Sequence, residues 1–204
     1  MEKILSIIIP SYNSKPFLAK CLDSLLCECT DKLDIIVVND GSTDGCEKIA
    51  EEYIEKYPAS ISLINKENGG HGSTINCGIR NAVGKYFKVV DGDDWVNTAD
   101  FVKLVEDLEK TESEYVFTNY YEYYDDVNRQ KAVDFPQFKD GTEYDFADVA
   151  NKVYIPMHAL VIKTSVLKDN NIVIDEKCFY VDVEYVMFPV PFVNKVTFFD
   201  LHVY

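Results

Sequence analysis

Residues 86–95 read Tyr86-Phe87-Lys88-Val89-Val90-Asp91-Gly92-Asp93-Asp94-Trp95, a largely apolar run that ends in three carboxylates. A short apolar run that ends so abruptly is typical of a buried strand. Like charges a few ångströms apart raise each other's pKa, so the cluster favours a cation between them. Mg²⁺ and Mn²⁺ prefer oxygen ligands and often bridge carboxylates to phosphates. The stretch indicates a metal site at a strand end, although a solvated turn that caps the next helix has a similar composition.

The first half of the chain alternates between apolar runs and segments with helical spacing. The predicted strands cover residues 4–9, 33–38, 61–64 and 86–90. This alternation predicts an α/β fold, with a mostly parallel central sheet of βαβ units flanked by helices. In such sheets ligands bind beyond the carboxyl ends of the strands. The loops that contain Pro10, Asp40, Asn68 and Asp91 are all expected at that edge.

The pattern changes after residue 115. Strands are predicted at 115–124 and 158–162, with a polar turn at 125–131 and a short helix at 146–152. We interpret 1–204 as one domain whose second half, 115–204, is a smaller mixed part. Because apolar, strand-like residues run to Tyr204, we expect a chain trimmed from a longer protein.

Composition excludes several classes of protein. The chain has 204 residues, of which 47% are hydrophobic, and a net charge of −15. So acidic a chain is not expected to bind nucleic acid, which requires basic surfaces. No apolar run reaches the ~20 residues that span a bilayer, and the N-terminus lacks the plan of a signal peptide. The six cysteines include no Cys-x-x-Cys pair, so free thiols in a reducing cytoplasm are expected.

Several motifs occur together in a fixed order: residues 6–13, residues 36–44, Asn68-Gly69-Gly70, residues 76–79 and 84–86, and Asp91-Gly92-Asp93-Asp94. In order and spacing this array resembles the nucleotide-sugar-binding core of family 2 glycosyltransferases, which have the GT-A fold. The resemblance covers roughly the first hundred residues. It implies that 1–114 bind a nucleotide-sugar donor. Beyond residue 115 the resemblance is weaker, and we interpret 115–204 as the acceptor side.

The resemblance also implies roles for individual residues. Pro10 and Ser11 would line the base pocket, and Asp40 would accept a hydrogen bond from a uracil-type base. Asn68 and Gly70 belong to a loop that lines the nucleotide site. Asp91 would lie by the ribose and diphosphate, and Asp93 would be the ligand of a Mg²⁺ or Mn²⁺ ion. Asp94 either supports the metal or caps the next helix.

The same family implies a general base, because most members invert the anomeric carbon by direct displacement. The candidate is Asp182, with Glu184 as the second choice, and helix N-capping is the structural alternative for Asp182. The family frequently has an acidic residue where this chain has Val181. The expected partners are a nucleotide-diphosphate sugar, with UDP favoured, and a glycan or lipid-linked acceptor.

The remaining choices stay open at the level of sequence. Arg80 reaches a phosphate or is a solvated surface residue, and His158 is a core group or part of the site wall. Trp95 packs or stacks on a sugar. A nucleotidyltransferase and a catalytically silent nucleotide-sugar-binding module are the alternative functions. The expected location is the cytoplasm or the inner face of the cell membrane, with any peripheral attachment made by a part that would follow residue 204.

Overall fold

The two faces of the first strand explain why residues 5–9 are apolar apart from the buried Ser6. The computed structural model describes residues 2–124 and 129–204. Leu5, Ile7 and Ile9 point into one hydrophobic core, and Ile8 points into another. Successive side chains of a strand point to opposite faces, so a strand covered on both sides has no position left for a polar pattern.

Helices and strands alternate as expected through the first half. The strands are β1 (Leu5–Ser11), β2 (Leu33–Asp40), β3 (Ile61–Lys66), β4 (Tyr86–Val89), β5 (Tyr115–Tyr124), β6 (Arg129–Val133), β7 (Thr142–Asp145), β8 (Leu160–Lys163) and β9 (Lys195–His202). The helices are α1 (Leu18–Leu25), α2 (Cys46–Lys56), α3 (His71–Asn81), α4 (Thr98–Leu108), α5 (Phe146–Val149), α6 (Thr164–Asp169) and α7 (Val181–Met187).

In the described residues the strands form one sheet, in the order β3-β2-β1-β4-β8-β5-β9-β7, with β6 paired to β5. All pairs among β3, β2, β1 and β4 are parallel. β8 is antiparallel to both β4 and β5, and β9 is parallel to β5. The predicted fold class is confirmed: a parallel central sheet continues into a smaller mixed part.

Helices cover both faces of this sheet. Buried residues of α1, α2 and α4 belong to one core, and buried residues of α3, α5, α6 and α7 belong to the other. Because both faces are covered, the edge formed by the carboxyl ends of the parallel strands is where a ligand has access.

The structure corrects several local predictions. His158 lies in a 3-10 turn, Met157–Ala159, and the strand begins only at Leu160. The end of the predicted polar turn at 125–131 belongs to β6, whereas residues 125–128 lie outside the described residues. Helix α7 begins at Val181, after Tyr180, so Asp182 lies within its first turn and is not the capping residue.

A segment near residue 175 packs against α3 and brings the second half to the edge formed by the carboxyl ends of the parallel strands. The side chain of Asn76 donates to the carbonyl of Ile174 at 2.8 Å and accepts from its amide at 2.9 Å. A Cβ at position 72 would lie 2.0 Å from the carbonyl oxygen of Asp175. Gly72 is therefore required for this close approach, which leads the chain on towards Asp182.

In the described part of the chain, none of the helices combines the length and the apolar character that crossing a bilayer requires.

Candidate active site

One cavity of about 290 Å³ lies at the carboxyl ends of β1 to β4. Tyr12, His71 and Thr74 line it together with the residues predicted to contact the donor. Those residues are Pro10, Ser11, Asp40, Asn68, Gly70, Asp91 and Asp93. The structure therefore brings all of the predicted donor-side residues to one place, which we call the donor cavity.

Asp40, at the end of β2, is held by the loop that follows β3. One carboxylate oxygen, Oδ1, accepts from the amide of Gly69 at 2.9 Å and pairs with the ammonium of Lys66. The other, Oδ2, accepts from the amide of Gly70 at 2.8 Å. A carboxylate has about four acceptor positions, so Oδ2 retains capacity for a further N–H donor. Its orientation is fixed before any ligand arrives.

The ends of β1 and β4 approach each other closely at Gly92. Its amide donates to the carbonyl of Pro10 at 3.1 Å, and a Cβ at this position would lie 2.8 Å from that oxygen. The middle residue of Asp91-Gly92-Asp93 must be small for this reason. The contact sets Asp91 and Asp93 beside the Pro10 loop.

His71 is a site residue that we did not single out in the sequence. It is the first residue of α3, and its Nε2 lies 2.9 Å from Oδ1 of Asp91. Burial lowers the pKa of His71, but the hydrogen bond and the charges of Asp91, Asp182 and Asp93 outweigh it and raise the pKa. The sequence feature that could have identified His71 is its position directly after Gly69-Gly70, in the loop assigned to the nucleotide site.

Asp91, Asp94 and His158 each offer one ligand atom, and these atoms all lie within 4.8 Å of one another. Burial raises the pKa of Asp94, and the charges of Asp91 and Asp93 add to the shift although a hydrogen bond from Tyr204 opposes it. A divalent cation would relieve this excess of negative charge, so these three ligand residues fit Mg²⁺ or Mn²⁺. Asp93 is exposed and lies outside this set, and its role as ligand stays a prediction.

Two buried side chains, those of Tyr204 and Lys88, contact residues of this cluster from the protein interior. The hydroxyl of Tyr204 donates to Oδ2 of Asp94 at 2.7 Å, and it accepts from the amide of Asp91 at 3.2 Å. Lys88 is completely buried, and its ammonium donates to the carbonyl of His158 at 2.6 Å. Burial lowers the pKa of Lys88 to about 7. Neither residue carried a signal in the sequence, because a tyrosine or lysine in a strand-like run has many ordinary explanations.

Asp182 lines a second cavity, of about 300 Å³, which we call the base cavity. His71 and Asp91 line both this cavity and the donor cavity. The predicted base is therefore next to the predicted diphosphate position. Glu184 is engaged elsewhere, since its Oε2 accepts from the amide of Asp175 at 2.8 Å.

A third cavity, of about 410 Å³, lies on the other side of Asp93. Aromatic side chains, including Trp95, Tyr121 and Tyr204, form much of its lining. The ammonium of Lys20 lies 2.9 Å from the ring centroid of Trp95. The indole thus takes part in packing and also borders a cavity.

Arg80 and Asn39 do not line the donor cavity. Arg80 is exposed and lines a separate cavity beside Leu167 and Lys168, which favours the surface interpretation. Asn39 donates to Asn65 at 2.8 Å and accepts from the amide of Ser42 at 3.0 Å. It therefore joins β2 to β3 and to the following turn.

Comparisons with known proteins agree with this fold and these motifs. The family described as Glycosyl transferase family 2 matches residues 6–170, and the chain belongs to this family. It is 42% identical over 121 residues to the glycosyltransferase EpsJ of Bacillus subtilis, and this alignment covers 59% of this chain and 35% of EpsJ. It is 34% identical over 119 residues to the glycosyltransferase GlyA of Streptococcus pneumoniae, and this alignment covers 58% of this chain and 17% of GlyA.

Solved structures share the fold. S. aureus TarS 1–349 in complex with UDP-GlcNAc has a TM-score of 0.79 at 23% identity, over 98% of this chain and 57% of that one. The mannosyltransferase PcManGT of Pyrobaculum calidifontis, in complex with GDP-Man and Mn²⁺, has a TM-score of 0.70 at 18% identity, over 100% of this chain and 56% of that one. The GT-A fold is therefore confirmed.

Proposed function

We propose that this chain is the catalytic domain of a metal-dependent, inverting glycosyltransferase that uses a nucleotide-diphosphate sugar, with UDP as the favoured nucleotide. The observation that carries the proposal is the donor cavity, which gathers Asp40, Asp91 and Asp93 at one sheet edge. Membership of the family supports transfer of a sugar. In this proposal residues 1–114 bind the donor and residues 115–204 form the acceptor side.

On the donor side, Asp40 accepts the ring N–H of a uracil-type base in the pocket of Pro10 and Ser11. The hydrogen bonds from Gly69 and Gly70 already fix its carboxylate, so little ordering is needed on binding. Asp91 faces the ribose and diphosphate, with His71 beside it.

In the displacement, an acceptor hydroxyl oxygen forms a bond to the anomeric carbon while the bond from that carbon to the β-phosphate oxygen breaks. Asp182 takes the hydroxyl proton. The acidic cluster would hold a Mg²⁺ or Mn²⁺ ion, which would supply positive charge for the departing nucleoside diphosphate. The proposed metal ligand is Asp93. Asp91, Asp94 and His158, whose ligand atoms lie within 4.8 Å of one another, are proposed as further ligands.

The acceptor is proposed to be a glycan or a lipid-linked sugar, as in polysaccharide assembly on the cytoplasmic side of a cell envelope. All six cysteines are free of disulfides, which is compatible with a reducing compartment.

The experiment is donor turnover by the purified chain, with release of UDP from several UDP-sugars measured in Mn²⁺ and then in EDTA. We expect turnover that stops on chelation. Turnover that persists in EDTA would contradict the metal role. Donor binding without transfer to any acceptor would favour a silent module, and release of pyrophosphate from a nucleoside triphosphate would favour a nucleotidyltransferase. A crystal soaked with UDP and Mn²⁺ tests the assigned positions directly.

A further inference from the structure

Tyr204 touches every member of the cluster formed by Asp91, Asp94 and His158. Its hydroxyl bonds to the carboxylate of Asp94 at 2.7 Å and to the amide of Asp91 at 3.2 Å. Its ring centroid lies 4.8 Å from that of His158, in an edge-to-face arrangement. The residue is 9% exposed. A single buried side chain therefore contacts the carboxylate of Asp94, the main chain of Asp91 and the imidazole of His158.

Lys88 completes this arrangement from inside the sheet. Its ammonium donates to the carbonyls of His158 at 2.6 Å and Leu160 at 3.4 Å, and it lies 5.3 Å from the ring centroid of Tyr204. Burial of a lysine among main-chain carbonyls is costly for folding. An apolar residue would fill the same space in β4 without that cost, but it would leave the turn that carries His158 without this attachment.

We infer that Tyr204 and Lys88 are positioning residues that hold Asp94 and His158, with Asp91, as a preformed divalent-cation site. This inference rests on the metal dependence in the proposed function. Partners of metal ligands fix the orientation of those ligands, and their loss typically weakens metal binding by ~10–100-fold. Here the hydroxyl of Tyr204 fixes the rotation of the Asp94 carboxylate, and Lys88 fixes the main chain at His158.

The ligand set also bears on the choice of metal. Mg²⁺ and Mn²⁺ both prefer oxygen ligands, but Mn²⁺ belongs to the transition-metal series, whose later members favour imidazole. A cluster of two carboxylates and one imidazole is therefore expected to bind Mn²⁺ more tightly than Mg²⁺. Replacement of His158 by glutamine should reduce that preference.

The test is Mn²⁺ binding to the whole chain, followed by the electron paramagnetic resonance signal of free Mn²⁺. We expect Tyr204→Phe to weaken Mn²⁺ binding by ~10–100-fold, with the affinity for UDP in EDTA unchanged. The matched control is Tyr185→Phe, because Tyr185 is completely buried and its hydroxyl has no hydrogen-bond partner among the described residues. This control should bind Mn²⁺ as the wild type does.

A second arm uses Lys88→Met, His158→Gln and the double variant. If Lys88 acts through His158, the losses in Mn²⁺ affinity will be less than additive. Unchanged Mn²⁺ affinity in Tyr204→Phe, or additive losses in the second arm, would overturn the inference while leaving metal-dependent transfer intact. Absence of Mn²⁺ binding by the wild type would overturn both the inference and the metal role, and donor turnover in EDTA would show whether sugar transfer itself remains.

Discussion

Residues 2–114 and residues 129–204 supply the candidate site in different ways. In the first region, Pro10, Asp40 and Asp91 lie at or just beyond the carboxyl ends of parallel strands, as the alternation of strands and helices requires. In the second region, Asp182 lies in the first turn of a short helix and His158 in a 3-10 turn. The first set depends on a general property of parallel sheets, and the second depends on individual long-range contacts.

This difference indicates how the two regions divide the work. At the donor edge, backbone amides of the neighbouring loop hold the carboxylate of Asp40. The proposed base and the proposed cation cluster depend on attachments such as Asn76 to Ile174 and Tyr204 to Asp94, which join residues about a hundred positions apart. Variants in the second region should therefore change transfer more than donor binding.

The largest expected effect is at Asp182. We expect Asp182→Asn to reduce sugar transfer by ~10²–10⁴-fold, because the amide cannot accept the hydroxyl proton as a general base does. Affinity for UDP should not change, since Asp182 lines the base cavity and not the donor cavity. Transfer rate and calorimetry of UDP binding check this. The exposed Asp148→Asn on α5 is the control, and retained transfer in Asp182→Asn would exclude it as the base.

Asn76 tests the attachment between the two regions. Asn76→Ala leaves the buried amide and carbonyl of Ile174 without their partner, and we expect the free energy of unfolding to fall by about 2–4 kcal/mol. Transfer should fall more than UDP affinity, because the segment that leads to Asp182 is released. Urea unfolding and the two activity measurements check this. Asn81→Ala should have a much smaller effect, because among the described residues the Asn81 side chain bonds only to Cys77 in the same helix.

Asp40 tests the contacts at the donor edge. In Asp40→Asn, an amide nitrogen would face an N–H donor, either of Gly70 or of Gly69, so we expect a loss of about 1–3 kcal/mol in unfolding free energy. UDP should also bind more weakly. Glu67→Gln, in the same loop, is the control. Normal UDP binding by Asp40→Asn would contradict the proposed hydrogen bond between Asp40 and the uracil ring.

The smallest effect is expected at Glu112, whose carboxylate pairs with Lys85 and Lys163, both at 2.7 Å. These hydrogen bonds, that from Lys163 first, lower the pKa of Glu112 to about 2. Because its side chain is 70% exposed, Glu112→Gln should cost less than about 1 kcal/mol near pH 7. The folded-state pKa is lowered, so this contribution is complete above the usual value of 4.5 and is lost as pH falls towards 2. The free energies of unfolding of the wild type and of Glu112→Gln, measured across this pH range, test the prediction. A difference that does not change with pH would contradict the lowered pKa of Glu112.

The same contrast explains what the sequence could predict. The parallel half followed from hydrophobic runs of strand length and from loops at a common edge, and every residue assigned to the donor lines one cavity. The second half has antiparallel pairs and irregular turns, for which hydrophobic spacing gives no partner. His158 was therefore assigned to a strand, and Tyr204 and Lys88 were not recognised as neighbours of the acidic cluster. Their contacts depend on the packing of β4, β8 and β9, which no local pattern specifies.

Trp95 gives the chain a built-in optical reporter. It is the only tryptophan, it directly follows Asp94, and it borders the same cavity as Asp93. Indole emission shifts when nearby charges change, and the ammonium of Lys20 already lies against the ring. Excitation that selects tryptophan over the 14 tyrosines should thus follow the arrival of a cation or a nucleotide in real time, with no label attached.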